Sequence, residues 1–145
     1  MNLNRVATAL LLAAAPTLCV ACDSNAKICN EFFDVALPIL SAVSSPASAT
    51  SSAGTIDWAR DTGKQYERLA LETENLSERT REGSMKNALL DEKEAAAAVA
   101  KQLDELVKAA TSLEPSKIAT VTSALEKAAR SEREAANTLA RQCSR

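Results

Sequence analysis

Apolar residues near the carboxyl terminus recur at intervals of three and four, and this spacing constrains the fold more than any other feature. They are Ile118, Val121, Leu125, Ala128, Ala135, Leu139 and Cys143. At 3.6 residues per turn these positions share one face of a helix, whereas a half-buried strand would alternate with a period of two. Pro115 precedes them at a position that suits the first turn of a helix. The segment therefore predicts a long amphipathic helix.

Three earlier segments show the same period, residues 27–44, 56–81 and 85–110. Pro38 is expected to kink the first helix, because it cannot donate a hydrogen bond to the carbonyl of Asp34. The composition supports this assignment, since 3 glycines and 3% aromatic residues in an alanine-rich chain favour helices over sheets. Four helices are therefore predicted.

The connections between these helices predict the topology. Residues 44–55 are rich in serine, proline and alanine and lack periodicity, which indicates a flexible connection. The other breaks, at residues 82–84 and 113–116, are short. Short connections join antiparallel neighbours, so we predict an all-α domain over residues 22–145, an antiparallel up-and-down four-helix bundle.

The first 22 residues have the three-part layout of an export signal. Arg5 supplies a positive charge, residues 6–15 are apolar or small, and residues 16–21 lead into Cys22. The uncharged stretch is shorter than the about 20 apolar residues that a membrane-spanning helix needs. We predict that residues 1–21 are a signal peptide, with a retained transmembrane anchor as the alternative.

The tetrapeptide that ends at Cys22 (CVAC) resembles the lipobox of bacterial lipoproteins, in which an aliphatic residue and two small residues precede a lipid-accepting cysteine. Cys19 departs from the usual leucine. The resemblance implies that Cys22 becomes the mature N-terminus and carries fatty acids such as palmitate on a diacylglycerol. Two acyl chains give a stable membrane anchor. The alternative is an ordinary secretory signal cleaved near Ala21, which would release a soluble protein.

Two cysteines remain if Cys19 leaves with the signal peptide and Cys22 carries lipid. Thiols of an exported protein enter an oxidising compartment, so Cys29 and Cys143 are predicted to form a disulfide. In an antiparallel bundle of four helices the first helix begins where the last one ends, and the bridge is then geometrically possible. Two unpaired buried thiols are the alternative.

The composition disfavours nucleic-acid binding, metal binding and catalysis. The net charge is −2 and basic residues are interleaved with acidic ones, a pattern that disfavours nucleic-acid binding. The chain has no histidine, which is the commonest metal ligand and acid–base residue. We predict no metal, no cofactor and no enzymatic activity. A pocket that holds carboxyl groups of raised pKa would favour an enzyme instead.

Two short motifs invite a catalytic or metal-binding interpretation. Ser24 and Lys27 match the Ser-x-x-Lys spacing in which a lysine activates a serine nucleophile, but the motifs that accompany it are missing from the chain. Helix capping is the predicted role. The acidic run at residues 91–94 (DEKE) lies on a predicted helix instead of a tight loop, and we predict a solvated helix face.

Two aromatic residues are candidates for contact with a partner or a ligand. Trp58 and Tyr66 lie eight residues apart on one predicted helix face. Aromatic side chains dominate the energetics of many interfaces. The alternative is that both pack in the alanine-rich core.

These features predict a lipid-anchored protein of the bacterial cell envelope, periplasmic or outward-facing. We expect a monomeric, non-enzymatic interaction module that contacts another envelope protein. One alternative is a carrier that holds a lipid or other hydrophobic molecule in a cavity between the helices. A second is a phage-type lipoprotein that blocks superinfection, a class that the layout of the chain resembles.

Overall fold

The computed structural model describes residues 24–43 and 52–144. The predicted signal peptide, Cys22 and most of the predicted flexible connection lie outside these residues. The described residues contain no strand and form four helices: α1 (Asn25–Val43), α2 (Ser52–Arg79), α3 (Gly83–Thr111) and α4 (Pro115–Cys143). The predicted all-α class is confirmed.

The helix bounds lie within a few residues of the prediction, and the largest difference is at the start of α2. This helix begins at Ser52, so the prediction of a flexible connection was wrong for residues 52–55. Serine, alanine and threonine cost little helical stability near a helix end, and the packing of the next turns extends the helix through them. Pro38, the residue at which a kink is predicted, lies inside α1, and the helix continues through it.

The four helices form a ring in which α1 and α3 each contact both α2 and α4. Cys29 and Cys143 form a disulfide with a Cα–Cα distance of 5.7 Å, as predicted. We call this the disulfide end, where α1 and α3 begin and α2 and α4 end. The opposite end is called the open end. The antiparallel up-and-down four-helix bundle is confirmed.

The start of α1 is also held by polar contacts at the disulfide end. The Arg79 guanidinium donates two hydrogen bonds to the Glu31 carboxylate, at 2.6 and 3.0 Å. The Asn25 side chain donates to Glu82 at the start of α3. The apolar core at this end contains Ile28, Phe32, Leu76, Met85, Leu89 and Leu139.

The first helix is much shorter than the others. It has 19 residues against 28 in α2 and 29 in each of α3 and α4. At 1.5 Å per residue these lengths correspond to roughly 28 Å and 43 Å. The pairing of Glu31 with Arg79 places Val43 beside about Glu67 of α2.

None of the described helices is long and apolar enough to cross a membrane.

Candidate functional site

An apolar groove lies between α2 and α4 near the open end, and α3 forms its floor. Its volume is about 230 Å³ and it is open to solvent on one side. We call it the α2–α4 groove. It is lined by Trp58, Thr62, Tyr66, Val99, Leu103, Thr122, Leu125, Glu126 and Ala129.

The groove continues the surface on which α1 packs. Leu125 lies 18 residues before Cys143, about five full turns, so both side chains lie on the same face of α4. Cys143 is bonded to α1, whereas Leu125 lines the groove. The same spacing separates Asp61 from Arg79 on α2, and Arg79 binds Glu31 of α1. Both walls therefore present to the groove the faces that hold α1 at the disulfide end.

The apolar stripe of α4 becomes less buried towards the open end. Leu139, level with α1, is 1% exposed. Ile118, Val121 and Leu125 belong to the same stripe but are only half-buried, although they pack against the core. The predicted helix face is therefore confirmed, and its open-end half is available for further contacts.

Both predicted aromatic residues line the groove. Tyr66 is 3% exposed and belongs to the core, and Trp58 is half-buried and packs against it. The Trp58 indole N–H is buried and has no hydrogen-bond acceptor among the described residues. Both rings therefore lie on one wall of the groove. Both also pack in or against the core, as the alternative prediction states. Contact with a partner or a ligand stays a prediction.

Two acidic side chains, Glu126 and Asp61, lie near the middle of the α2–α4 groove. Glu126 lines the groove on α4, and Asp61 is exposed on the face of α2 that holds α1 further along. Neither carboxylate has an ion-pair partner among the described residues, whereas the nearby Asp57 binds Arg60 at 2.9 Å. The charge of Arg133 acts on Tyr66 and lowers its pKa against the larger effect of burial. Two basic residues, Arg130 and Arg133, follow Ala129 along α4 towards the disulfide end.

Two glutamates that were not among the predicted site residues are buried in the bundle. Glu92 is 0% exposed and Glu132 is 4% exposed. Both oxygens of Glu92 and Oε1 of Glu132 have no hydrogen-bond partner among the described residues. The prediction of a solvated face at residues 91–94 was wrong for Glu92. Asp91 and Glu94 are exposed as predicted.

A signal for these burials exists in the sequence. Glu92 occupies the gap between Leu89 and Ala96 in the apolar stripe of α3, at spacings of three and four. Glu132 occupies the corresponding gap before Leu139 on α4. The helical period determines which way a residue points, whatever its side chain. A glutamate at a core-facing position of the apolar stripe is therefore expected to point into the bundle.

The environment of these carboxyl groups favours their neutral form. Burial raises the pKa of Glu92 to about 8, and repulsion by Glu132 adds to the rise. Burial also raises the pKa of Glu132. The Tyr66 hydroxyl has its pKa raised by burial first, then by the charges of Glu132 and Glu92. Neutral carboxyl groups are proton donors, but neither glutamate lines the α2–α4 groove.

Ser24 and Lys27 have the geometry of a helix cap. The Lys27 backbone N–H donates to the Ser24 hydroxyl oxygen at 3.4 Å, and the Ile28 N–H donates to the Ser24 carbonyl at 3.0 Å. A side-chain oxygen that accepts from a free N–H of the first turn is the usual role of serine at this position. The predicted capping role is therefore confirmed.

Within residues 24–43 and 52–144, no three cysteine, aspartate or glutamate side chains form a group that could hold a metal ion. The absence of a metal and of a cofactor stays a prediction. Comparison of the chain with protein-family models, with curated proteins and with solved structures finds no match.

Proposed function

We propose that this protein is a lipid-anchored, non-enzymatic binding module of the bacterial cell envelope whose α2–α4 groove receives a partner protein. The observation that carries the proposal is the groove itself, an apolar surface that two aromatic residues line. A concave surface lined by apolar and aromatic side chains is typical of binding sites. Aromatic side chains are the residues most enriched among those that dominate interface energy.

The position of the groove fits an anchored protein. Cys22 precedes the start of α1 by three residues, and α1 begins at the disulfide end. A lipid on Cys22 would therefore hold the disulfide end next to the membrane. The groove lies in the half of the bundle away from the disulfide end. The bundle is about 43 Å long, so a partner could reach the groove at this distance from the membrane.

A protein partner suits the groove better than a bound lipid. Ligand cavities usually measure about 300 to 1,000 Å³ and enclose most of the ligand. The α2–α4 groove measures about 230 Å³ and is open on one side. Side chains such as Ile28, Leu69 and Leu89 fill the interior of the bundle. The carrier alternative thus requires an expansion of the core.

The buried carboxyl groups do not favour an enzyme. Glu92 and Glu132 have raised pKa values, which is typical of many catalytic acids. A general acid must reach the substrate to within hydrogen-bond distance, directly or through one water. Neither carboxyl group belongs to the lining of the groove. A substrate in the groove would therefore not meet them.

The anchor is tested by the intact mass of protein purified from its native membrane, with and without reduction and alkylation. We expect loss of residues 1–21, a diacylglycerol-sized increment on Cys22, and two thiols that appear only on reduction. An unmodified Cys22 or a retained N-terminus would overturn the anchor.

The binding role is tested by photo-crosslinking in intact cells. A photoreactive amino acid replaces Leu125 in the groove or, as the control, Leu71, which is exposed on another face of α2. We expect position 125 alone to yield one protein adduct, identified by mass spectrometry and reproduced from a crosslinker on that protein. A lipid adduct at position 125 would favour the carrier, and equal labelling at both positions would overturn a specific site.

A further inference from the structure

We propose that the docking of α4 on α3 is controlled by proton binding to two buried carboxyl groups, those of Glu92 on α3 and Glu132 on α4. We call these two groups the carboxyl pair. While both are neutral, α4 packs on α3; when they ionise, the middle of α4 separates and moves one wall of the α2–α4 groove. This pH-dependent docking requires neither a lipid anchor nor a partner, so it stands apart from the proposed binding function.

The fourth helix is the least buried of the three long helices. The apolar stripe of α3 is buried from Met85 to Ala109, whereas the buried side chains of α4 are those of Glu132 and Leu139. The rest of the α4 stripe, including Leu125, is only half-buried. One of the two side chains that α4 inserts most deeply into the bundle is therefore an acid. The docking of this helix consequently depends on the charge of that acid.

The carboxyl pair lies at one level of the contact between α3 and α4. The sequence neighbours of the pair, Asp91 and Ser131, both line a surface groove of about 430 Å³ between the two helices. Both oxygens of Glu92 and Oε1 of Glu132 are buried and have no hydrogen-bond partner among the described residues. Buried carboxylates without partners are far more costly than neutral carboxyl groups. A displacement of α4 relieves this cost, because it admits water from the surface groove.

The charges closest to the pair give little compensation for ionisation. The charge of Glu132 acts on Glu92 and raises its pKa further. Arg133 lowers the pKa of Glu132, but burial has the larger effect and raises it. From α2 the neighbouring titratable group is Tyr66, whose pKa is raised by burial first and then by the two glutamates. Tyr66 is therefore neutral over the range in which the pair ionises.

The other charged groups of this region are acidic or belong to separate ion pairs. Three exposed carboxylates line the surface groove: those of Asp91, Glu94 and Glu134. Lys93 of α3 binds Glu74 of α2. On α1, Glu31 binds Arg79 and Asp34 is exposed. Lys93 and Arg79 are thus engaged elsewhere, and the cation that acts on the pair is Arg133.

The direction of the response follows from the environment of the pair. Burial raises the pKa of Glu92 to about 8, so α4 stays docked below this pH and separates as the pH rises through it. The disulfide of Cys143 and the short connection before Pro115 hold the two ends of α4. Separation is therefore confined to the middle of the helix. Leu125 and Ala129 of the groove wall lie within two turns of Glu132, so the groove changes shape with it.

The test is hydrogen–deuterium exchange of the protein with its disulfide intact, at pH 6, 7.5 and 9. Mass spectrometry follows the backbone amides, and the rates are corrected for the pH dependence of an unstructured chain. We expect residues 121–135 to lose at least tenfold in protection between pH 6 and 9, while α2 and α3 stay at least tenfold better protected. The emission of Trp58 should shift with a midpoint near pH 8, because this single tryptophan lines the α2–α4 groove.

A matched pair of double variants assigns the response to the carboxyl pair. E92Q/E132Q keeps the shape of the neutral carboxyl groups and removes their ionisation. We expect this variant to keep α4 protected at pH 9 and to show no shift of Trp58 emission. E94Q/E134Q changes exposed carboxylates on the same two helices and should respond to pH as the wild type does.

Several outcomes would overturn the proposal. Constant protection of α4 from pH 6 to 9 in the wild type would exclude pH-dependent docking, whether or not the variants fold. Loss of protection in all helices together would show unfolding of the whole bundle instead. A response that persists in E92Q/E132Q would belong to other groups. If millimolar calcium chloride restored protection at pH 9 in the wild type but not in E92Q/E132Q, the pair would be a cation site.

Discussion

The two ends of the bundle are built from the same helices but differ in how completely they are packed. At the disulfide end four helices enclose Ile28, Met85 and Leu139, and a covalent bond and a bidentate ion pair hold α1. Towards the open end the described residues provide three helices, and an apolar groove lies beside them. One end is thus closed by α1, and the α2–α4 groove lies towards the other.

Because of this difference, we expect different residues to determine folding stability and binding. Closely packed interiors tolerate little change, because each lost contact leaves a cavity. Half-buried side chains such as Trp58 and Leu125 contribute less to folding and leave part of their apolar area exposed to solvent. We therefore expect stability to depend mainly on the disulfide end and binding on the open end. The following changes test this division.

The largest effect is expected from removal of the disulfide. The bond closes a loop with a sequence separation of 114 residues. In the chain-entropy model a loop of this size contributes about 4 to 5 kcal/mol to the free energy of unfolding. The double variant with Cys29→Ser and Cys143→Ser is expected to lose about this amount in urea unfolding. Dithiothreitol should destabilise the wild type to the same extent and leave the variant unchanged. A loss of less than about 1 kcal/mol would contradict this expectation.

The buried carboxyl groups make the stability fall as the pH rises. The pKa of Glu92 is about 8 in the fold against 4.5 for the free group, so the folded state retains a proton that the unfolded state loses. The stabilising effect is complete below about pH 4.5 and is lost as the pH rises through about 8. At pH 9 the loss is on the order of 3 to 5 kcal/mol.

Urea unfolding at pH 5, 7 and 9 measures this dependence. Glu92→Gln keeps the shape of the neutral carboxyl group and is expected to remove most of the slope, so that the variant is more stable than the wild type at pH 9. Glu94→Gln changes an exposed neighbour and should leave the slope intact. Stability that is constant or rises between pH 5 and 9 in the wild type would exclude a neutral, buried Glu92.

A matched pair of leucine truncations compares the two ends directly. Leu139→Ala removes a side chain that is 1% exposed at the disulfide end, and we expect a loss of about 2 to 5 kcal/mol. Leu125→Ala removes the equivalent stripe residue from the half-buried groove wall, and we expect a loss of about 1 kcal/mol. The unfolding free energy from urea titration measures both. Equal losses would mean that the groove wall is packed as tightly as the core.

The sequence predicted the helices and the disulfide but not this difference. The stripe from Ile118 to Cys143 fixes which face of α4 points inwards, because that depends on the helical period alone. How deeply each residue is buried depends on the length of α1 and on the pairing of Glu31 with Arg79, which no local pattern in α4 contains. The charge of Glu92 predicts a surface position, because charged residues are rarely buried. Its position in the stripe was the better guide.

The smallest expected effect concerns the loop between α3 and α4. Leu113 has a φ of 55°, in the left-handed region that favours glycine, and its side chain is 81% exposed. A leucine in this conformation costs about 1 to 2 kcal/mol, part of which glycine would lose again through its larger unfolded-state entropy. Leu113→Gly is therefore expected to stabilise the protein by about 0.5 to 1 kcal/mol, measured as a higher urea midpoint. Leu71→Gly, in the middle of α2, should lower stability by about 1 kcal/mol instead. A Leu113→Gly variant that is less stable than the wild type would show that the leucine side chain contributes packing at the open end. The contrast between the two ends would then be smaller than the burial of α4 indicates.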